Sequence, residues 1–198
     1  MRTKASRIKL MLFDVDGVLT DGKILVHGDG TESKQFDIRD GTGIVWAQRA
    51  GLTVGILSAR TSAATAQRAA QLGIGTVQQG SLSKIRSYVE ILRQHDATDA
   101  QVAYMGDDLL DLPIIKRVGL SACPADAIRE VRSRVDYVSR AAGGDGAARD
   151  FIEFVLKAQG RWAALVASYL DQGQTSDQIA RSLGQRPKLV RGARAEKS

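Results

Sequence analysis

Short apolar runs recur along the chain, and each closes on small or polar residues. Residues 8–13 close on Asp14, Val15, Asp16 and Gly17; residues 53–57 close on Ser58, Ala59 and Arg60; residues 101–106 close on Asp107 and Asp108. Two further runs, 119–123 and 135–139, share this character. The near absence of apolar–polar alternation predicts strands buried on both faces, as in a parallel sheet. Between them the pattern predicts helices over 43–50, 62–72, 83–94, 110–117, 125–132 and 146–159. In the third, Ile85, Val89 and Leu92 repeat at helical spacing, and Gly73 is placed to stop the second. Alternating strands and helices predict βαβ units in an α/β fold, an open parallel sheet flanked by helices. Ligands in such sheets bind beyond the carboxyl ends of the strands, so three polar clusters distant in sequence can share one site there.

One segment breaks the alternation. Residues 23–27, the turn Gly28-Asp29-Gly30 and residues 31–36 predict a β-hairpin over about 23–36. It follows the first acidic cluster directly and is expected to project over the site as a flap. The core is expected over 1–160 and a basic extension over 161–198, within which 175–184 reads as a capped helix.

Composition narrows the class. With 198 residues, 43% of them apolar, the chain suits one domain with an appendage. The formal charge is +6, yet residues 1–156 hold 20 Lys and Arg against 19 Asp and Glu, whereas 157–198 hold 8 against 3. The body is therefore nearly neutral, and 5% aromatic residues supply no base-stacking platform, so no nucleic-acid partner is expected. No apolar run approaches the roughly 18 residues of a membrane span, and the opening Met-Arg-Thr-Lys has no signal-peptide character. The single cysteine, Cys123, excludes an internal disulfide and a multi-cysteine zinc site; His27 and His95 are the only histidines. A cytoplasmic protein is expected.

The clusters carry chemistry of one kind. Asp14 and Asp16, two residues apart at a strand end, can divide the roles of nucleophile or metal ligand and proton carrier. Asp107 and Asp108, with Asp111 nearby, add carboxylates whose mutual repulsion calls for a cation. An oxygen-only donor set favours Mg²⁺ over Zn²⁺. Ser58 could donate to a phosphoryl oxygen, and Lys84, in the first turn of a helix, could offset charge developing during phosphoryl transfer. Attack by an aspartate would give an acyl phosphate, with Asp16 protonating the leaving alkoxide and then activating water.

The set Asp14-Val15-Asp16-Gly17-Val18-Leu19-Thr20, Ser58, Lys84 and Gly106-Asp107-Asp108-Leu109-Leu110-Asp111 resembles the four motifs of the haloacid-dehalogenase (HAD) phosphohydrolases. More narrowly, Arg39-Asp40-Gly41-x-Gly43-Ile44, Leu72-Gly73-Ile74, Gln79-Gly80, Val118-Gly119-Leu120-Ser121 and Ala142-Gly143-Gly144-x-Gly146-Ala147 are similar to the 3-deoxy-D-manno-octulosonate (KDO) 8-phosphate phosphatases. The resemblance covers roughly residues 7–160. It implies a capless HAD-like Rossmannoid core with a hairpin flap, assembled as a homotetramer, that hydrolyses KDO 8-phosphate for lipopolysaccharide synthesis. Carried over by position, it implies Asp14 as nucleophile and Mg²⁺ ligand, Asp16 as general acid/base and carbonyl ligand, and Asp107 as a further Mg²⁺ ligand, with Asp108 and Asp111 in support. It places Asp37, Ile38, Arg39, Asp40 and Gly41, in a loop after the hairpin, along the substrate, and sets Arg60, Arg68 and Lys84 against its carboxylate, hydroxyls or phosphate. Two departures stand out: Ser58-Ala59-Arg60 replaces the frequent Thr-Gly-Arg, and Val45 stands where a basic residue often follows Gly-x-Gly-Ile. A nonulosonate 9-phosphate remains an alternative substrate, and a phospho-accepting receiver-like domain an alternative class.

Overall fold

The three runs that close on polar clusters form the middle of one sheet. In chain order, the first half contributes α1 (Arg2–Ala5), β1 (Leu10–Phe13), β2 (Leu25–Val26), β3 (Glu32–Ser33), α2 (Ile38–Arg49), β4 (Thr53–Leu57), α3 (Ala63–Gln71) and β5 (Thr76–Gln78). There follow α4 (Lys84–Gln94), β6 (Val102–Met105), α5 (Leu112–Ile115), β7 (Leu120–Cys123), α6 (Arg129–Arg132), β8 (Tyr137–Val138), α7 (Ala147–Ala158) and α8 (Trp162–Asp171). The structure is a computed structural model that describes residues 1–81 and 83–171. The chain divides into two compact units, Met1–Trp162 and Ala163–Ser198; the described part of the second is helical. The capped helix expected at 175–184 lies outside the described residues.

The main sheet has the order β5-β4-β1-β6-β7-β8, with every neighbouring pair parallel. β1, β6 and β7 are buried along their whole length, as the unbroken apolar runs require. On one face Leu10, Leu12, Leu57, Val102 and Tyr104 pack with Tyr88 and Ile91 of α4 and Ile114 of α5. Strand alternation turns Met11 and Phe13 of β1 the other way. Helix α7, which packs against α2 and α1, buries Phe151, Ile152 and Val155.

Several elements differ from the expected pattern, each for a local reason. β5 was not anticipated: it is a three-residue edge strand with polar Thr76 and Gln78, too short to show a period. Helix α2 begins at Ile38 and not at 43, because Asp37 accepts a hydrogen bond from Arg39 N at 2.5 Å and caps it. The supposed substrate loop 37–41 is therefore that cap and the first helical turn. Helix α6 is shorter than 125–132, since Ala125 N donates to Ala141 O and Ile128 N to Asp107 O, so these amides tie the segment to loops. The 110–117 segment is a 3₁₀ turn at Leu109–Asp111 followed by the single turn α5. The hairpin is present, with Leu25 opposite Ser33 and Val26 opposite Glu32, but its paired part is only two residues a side.

Close packing at the sheet centre depends on Gly55. It lies between Leu12 and Thr76 in register, and a Cβ there would stand 2.7 Å from Leu12 Cδ2 and 3.0 Å from the Thr76 side chain. Gly55→Ala should destabilise the protein by roughly 1–3 kcal/mol, measured as a lowered urea midpoint; an unchanged midpoint would show that the strands part freely.

Candidate active site

Ser58, Asp14 and Asp107 follow β4, β1 and β6, three adjacent strands, so the sheet order sets them side by side at one edge. They line a cavity of about 220 Å³ together with Asp16, Ala59, Arg60, Lys84, Asp108, Leu110 and Asp111. Helix α4 starts at Lys84, which is nearly buried, and its Nζ donates to Asp14 Oδ2 at 2.5 Å and to Asp111 Oδ1 at 2.7 Å. Tyr104 Oη, from β6, donates to the same Asp111 oxygen at 2.6 Å. Asp111 Oδ2 accepts from the Asp107 and Asp108 amides at 2.9 and 3.1 Å. Both Asp111 oxygens are thus occupied, and the residue fixes Lys84 and the loop after β6 together. Asp108 accepts from Leu109 N and caps the 3₁₀ turn.

The charge balance is negative. Asp14, Asp107 and Asp111 can each offer an oxygen within 4.8 Å of the others, and Lys84 is the ammonium bonded among them. Burial first and Asp111 second push the Asp14 carboxyl up to about 6. Burial, then Asp111 and Asp14, push Asp107 up to about 8. Burial alone would lower Lys84, but Asp14 and Asp111 outweigh it and raise the ammonium above its usual value. Carboxylates this costly to ionise together fit a hard divalent cation, with Asp14 and Asp107 as the side chains left to hold it.

The remaining candidates divide. Asp16 Oδ1 accepts from Lys34 Nζ at 2.5 Å, while its Oδ2 is buried without a hydrogen bond and lies 3.7 Å from Arg60 Nε. Arg60, half exposed, also bonds Glu32 of β3 at 3.0 Å. Outside the cavity lining, Asp37 and Asp145 hold Arg39. Asp40 turns inward and accepts from Gly146 N and Arg149 N, capping α7. Gly41 lies beneath the Arg68 guanidinium. Arg68 and Ile38 border a separate hollow with Lys34, Phe36 and Gln67. The sequence reading missed Lys34, Glu32 and Tyr104. The first two could have been suspected from their i, i+2 spacing on a strand, which puts both on one face.

Comparison with known proteins follows the same line. A profile described as haloacid dehalogenase-like hydrolase matches residues 55–151. The KDO 8-phosphate phosphatase of Escherichia coli K12 is 42% identical over 158 residues, covering 80% of this chain and 84% of the relative. The chain belongs to the KDO 8-phosphate phosphatase family. The family's Haemophilus influenzae enzyme is 38% identical over 185 residues, covering 93% of this chain and all of the relative. A crystal structure of the Moraxella catarrhalis phosphatase, in complex with magnesium, phosphate and KDO, superposes with a TM-score of 0.83 at 35% identity, covering 85% of this chain and 97% of that one.

Gly17 leaves the room that the Asp107 carboxylate occupies. Gly17 has φ +84°, and an added Cβ would collide with Asp107 Oδ2. Gly17→Ala should raise the Mg²⁺ concentration for half-maximal phosphate release by about 10-fold or more; an unchanged metal titration would remove Asp107 from the metal site.

Proposed function

We propose that this chain is a Mg²⁺-dependent phosphomonoesterase that hydrolyses KDO 8-phosphate to KDO and orthophosphate, supplying the sugar acid for lipopolysaccharide. The observation that carries the reading is the buried Asp14 carboxylate, bonded by Lys84 at the mouth of β1 in one cavity with Asp16, Ser58 and Asp107, in a chain 42% identical to a phosphatase of that name. The catalytic body is residues 1–160, with 161–198 as an extension.

Asp14 is the nucleophile. Its Oδ1 accepts from Val15 N at 2.7 Å and its Oδ2 from Lys84, which sets the carboxylate in a fixed attitude toward an entering phosphorus. As the Asp14 oxygen bonds phosphorus, the bond to the sugar oxygen breaks, and that oxygen takes a proton from Asp16. Asp16, now a carboxylate, takes a proton from water as the water oxygen attacks phosphorus. The aspartyl–phosphorus bond breaks, and orthophosphate and free Asp14 result. Ser58 and Lys84 donate to the phosphoryl oxygens, where negative charge must be held. Mg²⁺, held by Asp14, Asp107 and the Asp16 carbonyl, would offset the charge of phosphate and nucleophile as they approach.

A cavity of about 220 Å³ suits a phosphoryl end and not a whole sugar acid phosphate. The rest of the substrate lies outward, where the Arg60 fork suits a carboxylate. Ile38, in the first turn of α2, and Arg68 border the hollow next to Lys34 and would meet its far end. The homotetramer is part of the same reading: Leu25 and Val26 of the hairpin are 63% and 73% exposed, apolar surface suited to a second copy. A cytoplasmic address is part of the same reading.

Side-by-side kcat/KM values should favour KDO 8-phosphate over a nonulosonate 9-phosphate by about 10-fold or more; the reverse preference would overturn the substrate. Asp14→Asn should cut turnover by more than about 10³-fold while the protein still sediments as four chains. Residual activity would reject the nucleophile, and another mass the assembly.

A further inference from the structure

The contact between Lys34 and Asp16 enters none of the steps above. Lys34 follows β3 on the hairpin, where its main chain is partly exposed, yet its side chain is 0% exposed. A buried ammonium persists only where a counter-charge compensates for its lost hydration, and here that partner is Asp16 Oδ1 at 2.5 Å. Two residues earlier on the same face, Glu32 bonds Arg60. The hairpin therefore delivers a cation to Asp16 and an anion to Arg60, both facing the cavity. A slip of one residue would present Ser33 and Gln35 instead.

The two oxygens of Asp16 are unlike. Oδ1 is taken by Lys34, whereas Oδ2, 3.7 Å from Arg60 Nε, has no hydrogen bond and belongs to a residue that lines the cavity. Asp14, by comparison, has a donor on each oxygen. A group that gives a proton to a departing oxygen and retrieves one from water needs its reacting atom free of hydrogen bonds and its orientation fixed. Asp16 has that arrangement, and Lys34 supplies the fixed half.

We propose that Lys34 is a positioning residue for catalysis: from the hairpin it clamps Asp16 Oδ1 and so directs Oδ2 at the oxygen that leaves and then at the water that enters. The inference rests on reading Asp16 as the acid/base. In the first step the sugar oxygen keeps the electron pair of its broken phosphorus bond and takes the Oδ2 proton. In the second, the same oxygen of Asp16 accepts a proton from the water that displaces Asp14.

The test is a cycle of Lys34→Met, Asp16→Asn and the double variant, assayed with KDO 8-phosphate and with p-nitrophenyl phosphate, whose leaving group departs without a proton. Lys34→Met should lower kcat for the sugar phosphate roughly 30- to 300-fold with KM changed less than about three-fold. Its first-turnover burst of nitrophenolate should stay within about five-fold of the parent protein, because that step needs no acid. In the Asp16→Asn background, Lys34→Met should cost less than about two-fold, since the clamp has nothing left to hold. Lys34→Arg, which keeps the charge, should recover part of the lost kcat. A change confined to KM, an equal loss in the burst, or an undiminished loss in the Asp16→Asn background would overturn the proposal. Near-normal turnover by Asp16→Asn alone is a different result: it would sink the acid/base reading itself. Lys34→Gln repeats the test should the methionine variant fail to fold; unfolding of both would make Lys34 structural and reject its part in positioning.

Discussion

A lysine ammonium held among carboxylates in a nearly closed pocket is the constraint around which the site is organised. Dehydrating such ions costs several kcal/mol each, so Lys84 is tolerable only while Asp14 and Asp111 remain within hydrogen-bond distance. Asp111 in turn receives the Tyr104 hydroxyl and two amides of the loop after β6. One cation thus locks the end of β1, the start of α4 and the loop carrying Asp107 into a single arrangement. The lock is incomplete in charge, because burial, Asp111 and Asp14 push the partly buried Asp107 carboxyl up to about 8. That deficit is what a divalent metal would correct, and the same groups that position Asp14 create the need for it.

The hairpin extends this logic to the proton carrier. Asp14 is held from below by the sheet and α4, whereas Asp16 is held from above by Lys34. Asp14 is therefore held by the core, and Asp16 depends on an element with only two paired residues a side. Exposed Leu25 and Val26 on the same hairpin mean that whatever covers them also steadies Lys34. On the proposed reading, assembly and the geometry of Asp16 would be linked through one short piece of chain.

Substrate choice is separated from the phosphoryl chemistry. On the proposed reading the inner cavity would take the phosphate end, and the sugar acid would be met by Arg60 at its lining and by Arg68 beside the separate hollow.

The sequence alone determined the central strands of the sheet and the carboxylates at their ends. Strands buried on both faces must be apolar throughout, so β1, β4 and β6 announce themselves, and polar residues directly after them must lie at the sheet's carboxyl edge. Lys84 was legible as part of a motif set and as the first residue of an amphipathic helix. Only the tertiary structure decided what periodicity does not encode. Asp40 was expected along the substrate and instead caps α7 from 106 residues away. Lys34 reached Asp16 across 18 residues, and Tyr104 joined Asp111 through the fold of a loop. β5 gained its identity by pairing with β4, not from its own three residues. Local patterns record which face of an element is buried; which partner a buried polar group finds depends on distant chain brought close, and that is settled only when the whole sheet is assembled.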